Sequence, residues 1–193
     1  MAKNANLPFE IGTTYFQGAT ASATEAASLE GKVYEIEAYN LSSGDAVKPL
    51  LTGRPKRVMI VRNSSGGALV GKRIAKMKTD GSAYEFLGQV SGYATTVGEH
   101  GYPIDEFLST VPANDLFYVV IGGLAKVTSG PSGDTNIGIG NYVIPTTDGK
   151  AVDQDVTVAA GAATFNQAQG AIGRAMTAVN GINTDFYIEV CRS

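Results

Sequence analysis

The chain lacks most of the side chains on which catalytic and metal sites depend. Its 193 residues include one cysteine, Cys191, one histidine, His100, and no tryptophan. A single cysteine excludes an intrachain disulfide and a zinc cluster built from several cysteines. A lone histidine leaves any serine or cysteine nucleophile with one candidate general base. We therefore expect no catalytic residues, no cofactor and no bound metal.

Charge and long apolar runs are also scarce. Asp, Glu, Lys and Arg make up 17% of the chain, and the net charge is −3. A weakly negative chain does not have the basic footprint that nucleic-acid or anionic-membrane binding needs. No apolar run approaches the roughly 20 residues of a bilayer-spanning helix. The N-terminal residues have no apolar signal-peptide core. We expect no nucleic-acid partner, no membrane partner and synthesis in a cytoplasm.

Glycine, by contrast, is abundant at 24 residues, and the apolar residues fall in short runs. The longest run covers residues 115–128, where Phe, Tyr, Val and Ile favour a pleated, half-buried surface. Gly122 and Gly123 interrupt it, as glycines do at a bulge or a sharp bend. The run predicts one long, bent strand that crosses the core and supplies its main apolar face.

Shorter alternating runs predict further strands on both sides of this one. The runs on either side of Asn63-Ser-Ser-Gly-Gly67, 57–62 and 68–77, are predicted to pair as a hairpin. Asn180-Gly181 predicts a second, terminal hairpin. The predicted strands cover 32–39, 57–62, 68–77, 83–90, 137–145, 150–159, 171–179 and 185–192. This spacing predicts an all-β fold, a small β-barrel or β-sandwich. It forms a single β domain over 31–193, with a long irregular loop over 91–114.

Residues 1–30 are predicted to form an extended N-terminal arm. The apolar residues Phe9, Ile11, Tyr15 and Phe16 stand in a segment rich in small polar residues. Such a segment orders only where a partner supplies apolar contact to offset the lost chain entropy. We predict that these four residues contact a partner. The alternatives are a solvated tail and an arm that folds back on its own subunit.

Two motifs come close to known sites without matching them. Gly66–Arg73 follows the spacing of a phosphate-binding loop, but Arg73 stands where Ser or Thr would hold magnesium. The residues after it also alternate like a strand, where the motif needs a helix, so we interpret the match as chance. His100 has Glu99, Asp105 and Glu106 near it in sequence, but scattered loop carboxylates are usually solvated. Cys191 is interpreted as a small buried apolar residue.

Three stretches resemble the head decoration, or capsid cement, proteins of tailed bacteriophages. They are 114–127, 139–151 and 171–179 with the final strand after it. In that family an apolar strand with a glycine bend precedes a Gly-Asp-x-Val step, a Gly-Lys turn and an Ile-Gly-x-Ala strand. This chain has Gly140-Asn141 in place of Gly-Asp, and the resemblance covers less than half of it.

The resemblance implies a structural protein that binds the outer surface of a phage head and stabilises it. Its partner would be the major capsid protein, and it would act as a homotrimer. It would belong to the virion, at the capsid surface, after assembly in the host cytoplasm. The alternative is a glycan- or receptor-binding β module of a phage fibre or tail, with Tyr93 and Tyr102 of the long loop as candidate partner contacts. A hydrolase on a β scaffold is disfavoured, because a nucleophile would have no histidine partner other than His100.

Overall fold

The computed structural model describes residues 7–15, 28–36, 39–40, 48–49, 55–79, 86–96, 99–130, 136–154 and 171–190. Within these ranges helical structure is limited to Ser28, Leu29 and a 3-10 turn at Thr147–Gly149. None of the described helices is long and apolar enough to cross a membrane. The prediction of an all-β fold is confirmed.

The strands are numbered in chain order. They are β1 Val33–Ile36, β2 Tyr39–Asn40, β3 Lys48–Pro49, β4 Lys56–Asn63, β5 Ile74–Thr79, β6 Phe86–Tyr93, β7 Gly101–Pro103, β8 Leu116–Thr128, β9 Asn136–Ile137, β10 Tyr142–Thr146, β11 Lys150–Asp153, β12 Gly173–Ala175, β13 Val179–Asn180 and β14 Asp185–Val190.

Ten of these strands form one sheet, in the order β11-β10-β12-β14-β8-β4-β6-β5-β7, with β1 also paired to β4. The pairings are antiparallel except for β4 with β6, which run parallel over two residues. β9 pairs with β13, and β2 with β3, as two small separate sheets. β1, within the run predicted over 32–39, alternates, with Val33 and Glu35 exposed and Ile36 buried.

The strands at the two ends of the large sheet, β7 and β11, both come close to β8, but the sheet does not close into a barrel. Beyond β7, Ile104 makes an isolated bridge to Val119, and beyond β8, Ser129 makes one to Ala151 of β11. A closed barrel needs continuous strand pairing around its circumference. Over the residues that the structure describes these contacts are single bridges, so the barrel alternative is wrong.

The predicted central strand is β8, and it is buried on both faces. Leu116, Tyr118 and Val120 belong to one core cluster, while Phe117 and Val119 belong to a second one. Burial on both faces explains why the sequence is continuously apolar here instead of alternating. The strand therefore supplies two cores, where the sequence suggested one apolar face.

The predicted bend in β8 is confirmed at its glycine pair. Gly123 has φ 82°, and the pairing with β4 changes register between Arg57 and Val58. A Cβ on Gly123 would lie 2.8 Å from the carbonyl oxygen of Pro55, so a side chain would clash with the backbone there. Before the bend β8 pairs with β4, and from Gly123 onward it pairs with β14. The bend thus lets one strand join two halves of the sheet.

The predicted hairpin between the strands before and after Asn63 is wrong. β4 pairs with β8, β1 and β6, while β5 pairs with β6 and β7. Because β8 pairs with one edge of β4, and β1 and β6 pair with the other, β4 has no edge left for β5. The Asn63 side chain instead donates to the carbonyl oxygens of Gly67, Val111 and Pro112 at 2.8–3.0 Å. These bonds tie the turn to the long loop.

The predicted irregular loop over 91–114 begins inside strand β6, and its described residues pack into the protein's own core. It contains β7, and Ile104, Leu108 and Val111 are buried in the second core cluster. At the other end of the chain, β12 and β14 pair antiparallel as predicted. β13, however, leaves this pair and joins β9.

Candidate interaction site

Residues 7–15, which we call the strap, lie against the start of β8. Tyr15 N donates to Leu116 O at 2.9 Å, and Leu116 N donates to Tyr15 O at 3.1 Å. The Phe9 ring stacks on Tyr118 with 4.4 Å between centroids. The Tyr118 hydroxyl donates to Phe9 O at 2.9 Å. The strap therefore combines a short strand-like pairing with an aromatic contact.

Two buried carboxylates hold the middle of the strap. Gly12 N donates to Asp105 Oδ2 at 2.8 Å, and Thr14 Oγ1 donates to Asp115 Oδ2 at 2.8 Å. Gly12 has φ 79°, and a Cβ there would lie 2.8 Å from Phe107 Cβ. A glycine is therefore required at this point, both for the backbone conformation and for space.

We call the residues that receive the strap the seat. They are Asp105, Phe107, Asp115, Leu116 and Tyr118.

A buried ion pair lies beside the seat. Lys56 Nζ donates to Glu106 Oε2 at 2.6 Å, although the Lys56 residue is only 4% exposed. The same ammonium lies 5.7 Å from the centroid of the Phe107 ring. A buried charge is tolerated only where partners offset its desolvation. The lysine and the two neighbouring acids, Asp105 and Glu106, therefore form one electrostatic unit under the strap.

Burial perturbs the pKa of the Asp105 carboxyl in this unit. It is 1% exposed, and burial raises its pKa to about 6, while nearby Lys56 lowers the pKa and Glu106 raises it further. A carboxyl that titrates near neutrality is one mark of an acid–base catalyst. This one is enclosed, however, and its oxygens accept from Gly12 N and, at 3.4 Å, from Phe107 N. In the structure, the Asp105 carboxylate binds the strap through the Gly12 amide.

The predicted arm residues lie on the subunit to which they belong. Phe9, Ile11 and Tyr15 are partly buried against the larger core cluster of the same chain. Phe16 lies outside the described residues. The strap thus takes the fold-back arrangement named above as an alternative, and the contact of these residues with a second molecule stays a prediction.

The structure places Tyr93 and Tyr102 close together, on either side of Ala75. Both are in register with that alanine, Tyr93 from β6 and Tyr102 from β7. Both are partly buried against the second core cluster, and the Tyr93 hydroxyl accepts from Val70 N at 2.8 Å. These rings pack at the margin of the core, and their role as partner contacts stays a prediction.

The candidate metal ligands near His100 do not converge. Glu99 accepts from Lys76 Nζ at 2.6 Å and from Thr95 N at 2.7 Å, while Asp105 belongs to the seat. Across the described ranges no group of three or more metal-ligating side chains occurs. After Gly66–Arg73 the chain enters strand β5, as its alternation predicted.

The outer face of the second half of the sheet is a feature that the sequence analysis missed. Arg174 stands opposite both Tyr142 and Glu189, and its guanidinium lies 4.6 Å from the Tyr142 ring centroid. Lys126 lies 4.9 Å from the centroid of the opposite Tyr187 ring. Half-buried apolar residues share this face, namely Leu124, Ile144 and Val152. The alternation in β10, β12 and β14 was the signal that assigns these side chains to one face.

Exposed apolar side chains occur in the same half of the molecule. Ile139 is 70% exposed, Met176 43% and Ile182 52%. Gly140 N donates to Ala175 O at 2.8 Å, which joins the turn that contains Ile139 to the end of β12, just before Met176. Aromatic and arginine side chains on a face, with exposed apolar residues in the same half of the molecule, are typical of protein–protein contacts.

A scan against protein-family models found no match, and a search of curated proteins found none. Among solved structures, the chain is similar to the head fiber gp8.5 N base in bacteriophage phi29. The sequences are 15% identical, the match covers 70% of this chain and 94% of that chain, and the TM-score is 0.44. That score is too low for us to draw fold or function from the likeness.

Proposed function

We propose that the protein is a head decoration protein that binds the outer surface of a phage capsid and stabilises it. One observation carries the proposal. The three stretches that resemble decoration proteins are separated along the chain, yet they supply β8, β10, β12 and β14, which are consecutive in the sheet. The resembling residues thus form one group of adjacent strands, as expected if this part of the chain shares a common fold with decoration proteins.

The surface of that unit supports a contact role. Its outer face combines the stacked pairs Tyr142–Arg174 and Tyr187–Lys126 with half-buried apolar residues. We propose the major capsid protein as the partner on this face and a homotrimer as the assembled form, since homo-oligomers usually have closed symmetry. We propose no enzymatic activity for the chain, since the Asp105 carboxyl, whose pKa is raised to about 6, is 1% exposed and accepts from Gly12 N.

Sedimentation with undecorated phage heads tests the proposal. The purified protein is expected to pellet with the heads and to saturate them at a fixed number of copies per shell. Reversing the charge on the outer face with Arg174→Glu should weaken this binding at least tenfold. Lys78→Glu, an exposed charge on β5 in the other half, is the matched control and should bind as the parent does.

The same preparation distinguishes the fibre or tail alternative. Binding to a panel of immobilised cell-surface glycans, without binding to heads, would replace the decoration proposal by a glycan-binding one. Tyr93→Ala and Tyr102→Ala would then be the variants that lose binding. Failure to bind heads, with no glycan binding either, would refute both.

A further inference from the structure

The strap is joined to the rest of the protein by contacts that are distant in sequence. Its partners Asp105, Asp115 and Tyr118 lie 93, 101 and 109 positions after Gly12, Thr14 and Phe9. Within itself the strap has a turn at Glu10–Thr13. Nothing in these contacts depends on which copy of the chain supplies the strap.

The seat is poorly suited to stand empty. Leu116 and Tyr118 have 0% exposure, and Asp105 and Asp115 are also buried. Departure of the strap would uncover the Tyr118 ring, which stacks on Phe9, and would remove the partner of the Leu116 amide. Exposing apolar side chains of this size costs free energy. A strap that leaves its seat therefore has to be replaced by an equivalent segment.

The chemistry of the seat specifies that replacement closely. It takes a main chain that pairs with Leu116, an aromatic ring for Tyr118, a glycine beside Phe107 and a hydroxyl for Asp115. A second copy of this chain carries all four features at the correct spacing. Twelve residues, 16–27, separate the strap from Ser28. A fully extended chain of that length spans at most about 40 Å, which sets the farthest seat that the strap could occupy.

We propose that straps are exchanged between copies, so that residues 7–15 of one chain occupy the seat of its neighbour in a homo-oligomer. Exchange keeps every interaction described above and adds a connection between subunits. Swapping an identical element costs little, because the strap makes the same hydrogen bonds and apolar packing in either seat. The proposal does not depend on the phage-head role, since it concerns only how copies of this chain hold one another.

A disulfide between two chains tests the exchange. Tyr15 and Leu116 face each other with reciprocal hydrogen bonds. Such pairs have Cα atoms about 5.5 Å apart, which suits a disulfide. Two differently tagged chains would be co-expressed, one carrying Tyr15→Cys and the other Leu116→Cys, both with Cys191→Ser. Exchange predicts that most of the doubly tagged protein becomes a covalent dimer of two 20.0 kDa chains on mild oxidation.

The control replaces the Leu116→Cys chain by one carrying Thr147→Cys, an exposed position in the other half of the molecule. This pair should remain uncrosslinked, and equal crosslinking of both pairs would overturn the proposal. A single chain that carries both Tyr15→Cys and Leu116→Cys reports the same-chain arrangement. If that chain closes on itself while the mixed pair gives no dimer, the strap stays on its own subunit and exchange is refuted.

A second readout avoids a cysteine in the core, where Leu116→Cys could prevent folding. The photoreactive residue p-benzoylphenylalanine in place of Phe9 keeps an aromatic ring against Tyr118. This chain and the isotopically labelled parent would be co-folded at high concentration and irradiated. The photoreactive residue is then expected to crosslink to residues 115–118 of the isotopically labelled chain. Adducts confined to the unlabelled chain itself would contradict exchange, whatever the outcome with cysteines.

Discussion

The buried carboxyl of Asp105 makes the stability of the protein depend on pH in an unusual direction. Burial raises its pKa from 3.8 to about 6. The folded state therefore binds more protons than the unfolded state between these two values, and the free energy of unfolding falls as pH rises. The stabilisation is complete below about pH 4 and lost above about pH 7. Paired surface carboxylates give the opposite slope, since their pKa falls on folding.

The magnitude follows from the size of the shift. About two pKa units, at 1.36 kcal/mol each, correspond to about 3 kcal/mol of unfolding free energy across this pH range. Asp105→Asn removes the titrating group and keeps an oxygen that can accept from Gly12 N. About 2 kcal/mol of this total falls between pH 4.5 and pH 7.5, so the difference in unfolding free energy between parent and variant should change by that amount over this interval, in favour of the variant at high pH.

Urea denaturation at four pH values between 4.5 and 7.5 measures this difference. Taking the difference cancels the titration of all other groups, provided that they are unchanged. Glu10→Gln, which removes an exposed carboxylate from the strap, is the matched control and should run parallel to the parent. If Asp105→Asn also runs parallel to the parent, Asp105 titrates in the folded protein as it does in the unfolded chain, and its burial does not perturb it.

The other predictions concern the strap and the bend. Phe9→Ala should lower the free energy of unfolding by about 1–2 kcal/mol, because Phe9 is only partly buried. Amide hydrogen exchange at Leu116 should become faster in this variant. An unchanged hydrogen-exchange rate there would contradict the docking of the strap on β8. Tyr118→Phe should cost about 1 kcal/mol by thermal or urea unfolding through loss of its hydrogen bond to Phe9 O. Gly123→Ala should cost about 1–3 kcal/mol more than Gly66→Ala, since both have positive φ but only the first places Cβ against backbone. Equal costs would show that the bend tolerates a side chain.

Local pattern was enough to predict the elements but not their partners. The β-branched run of β8 and its glycine pair predicted a long strand with a bend, and both are present. The hairpin across Asn63 failed because β6 lies between β4 and β5 in the sheet, while β8, more than fifty residues after β4, takes the other edge of β4. A turn motif reports local geometry, whereas strand pairing is decided by burial over the whole chain.

The seat was beyond sequence reasoning for a similar reason. Lys56 and Glu106 are 50 positions apart, and Gly12 and Asp105 are 93 apart, so no spacing rule brings them together. Asp105 looked like a solvated loop acid, because burial of a carboxylate leaves no local mark in the sequence. The apolar residues of the arm did predict contact with an apolar surface, but could not indicate which chain provides it.

The most direct test of the central claim is a reconstruction of phage heads incubated with the purified protein. The proposal predicts added density on the outer surface of the shell, at symmetric positions, with copies grouped in threes. The outer face of β10, β12 and β14, around Arg174, should lie against the major capsid protein. Bare shells at saturating protein, or density confined to a tail or fibre, would contradict the account.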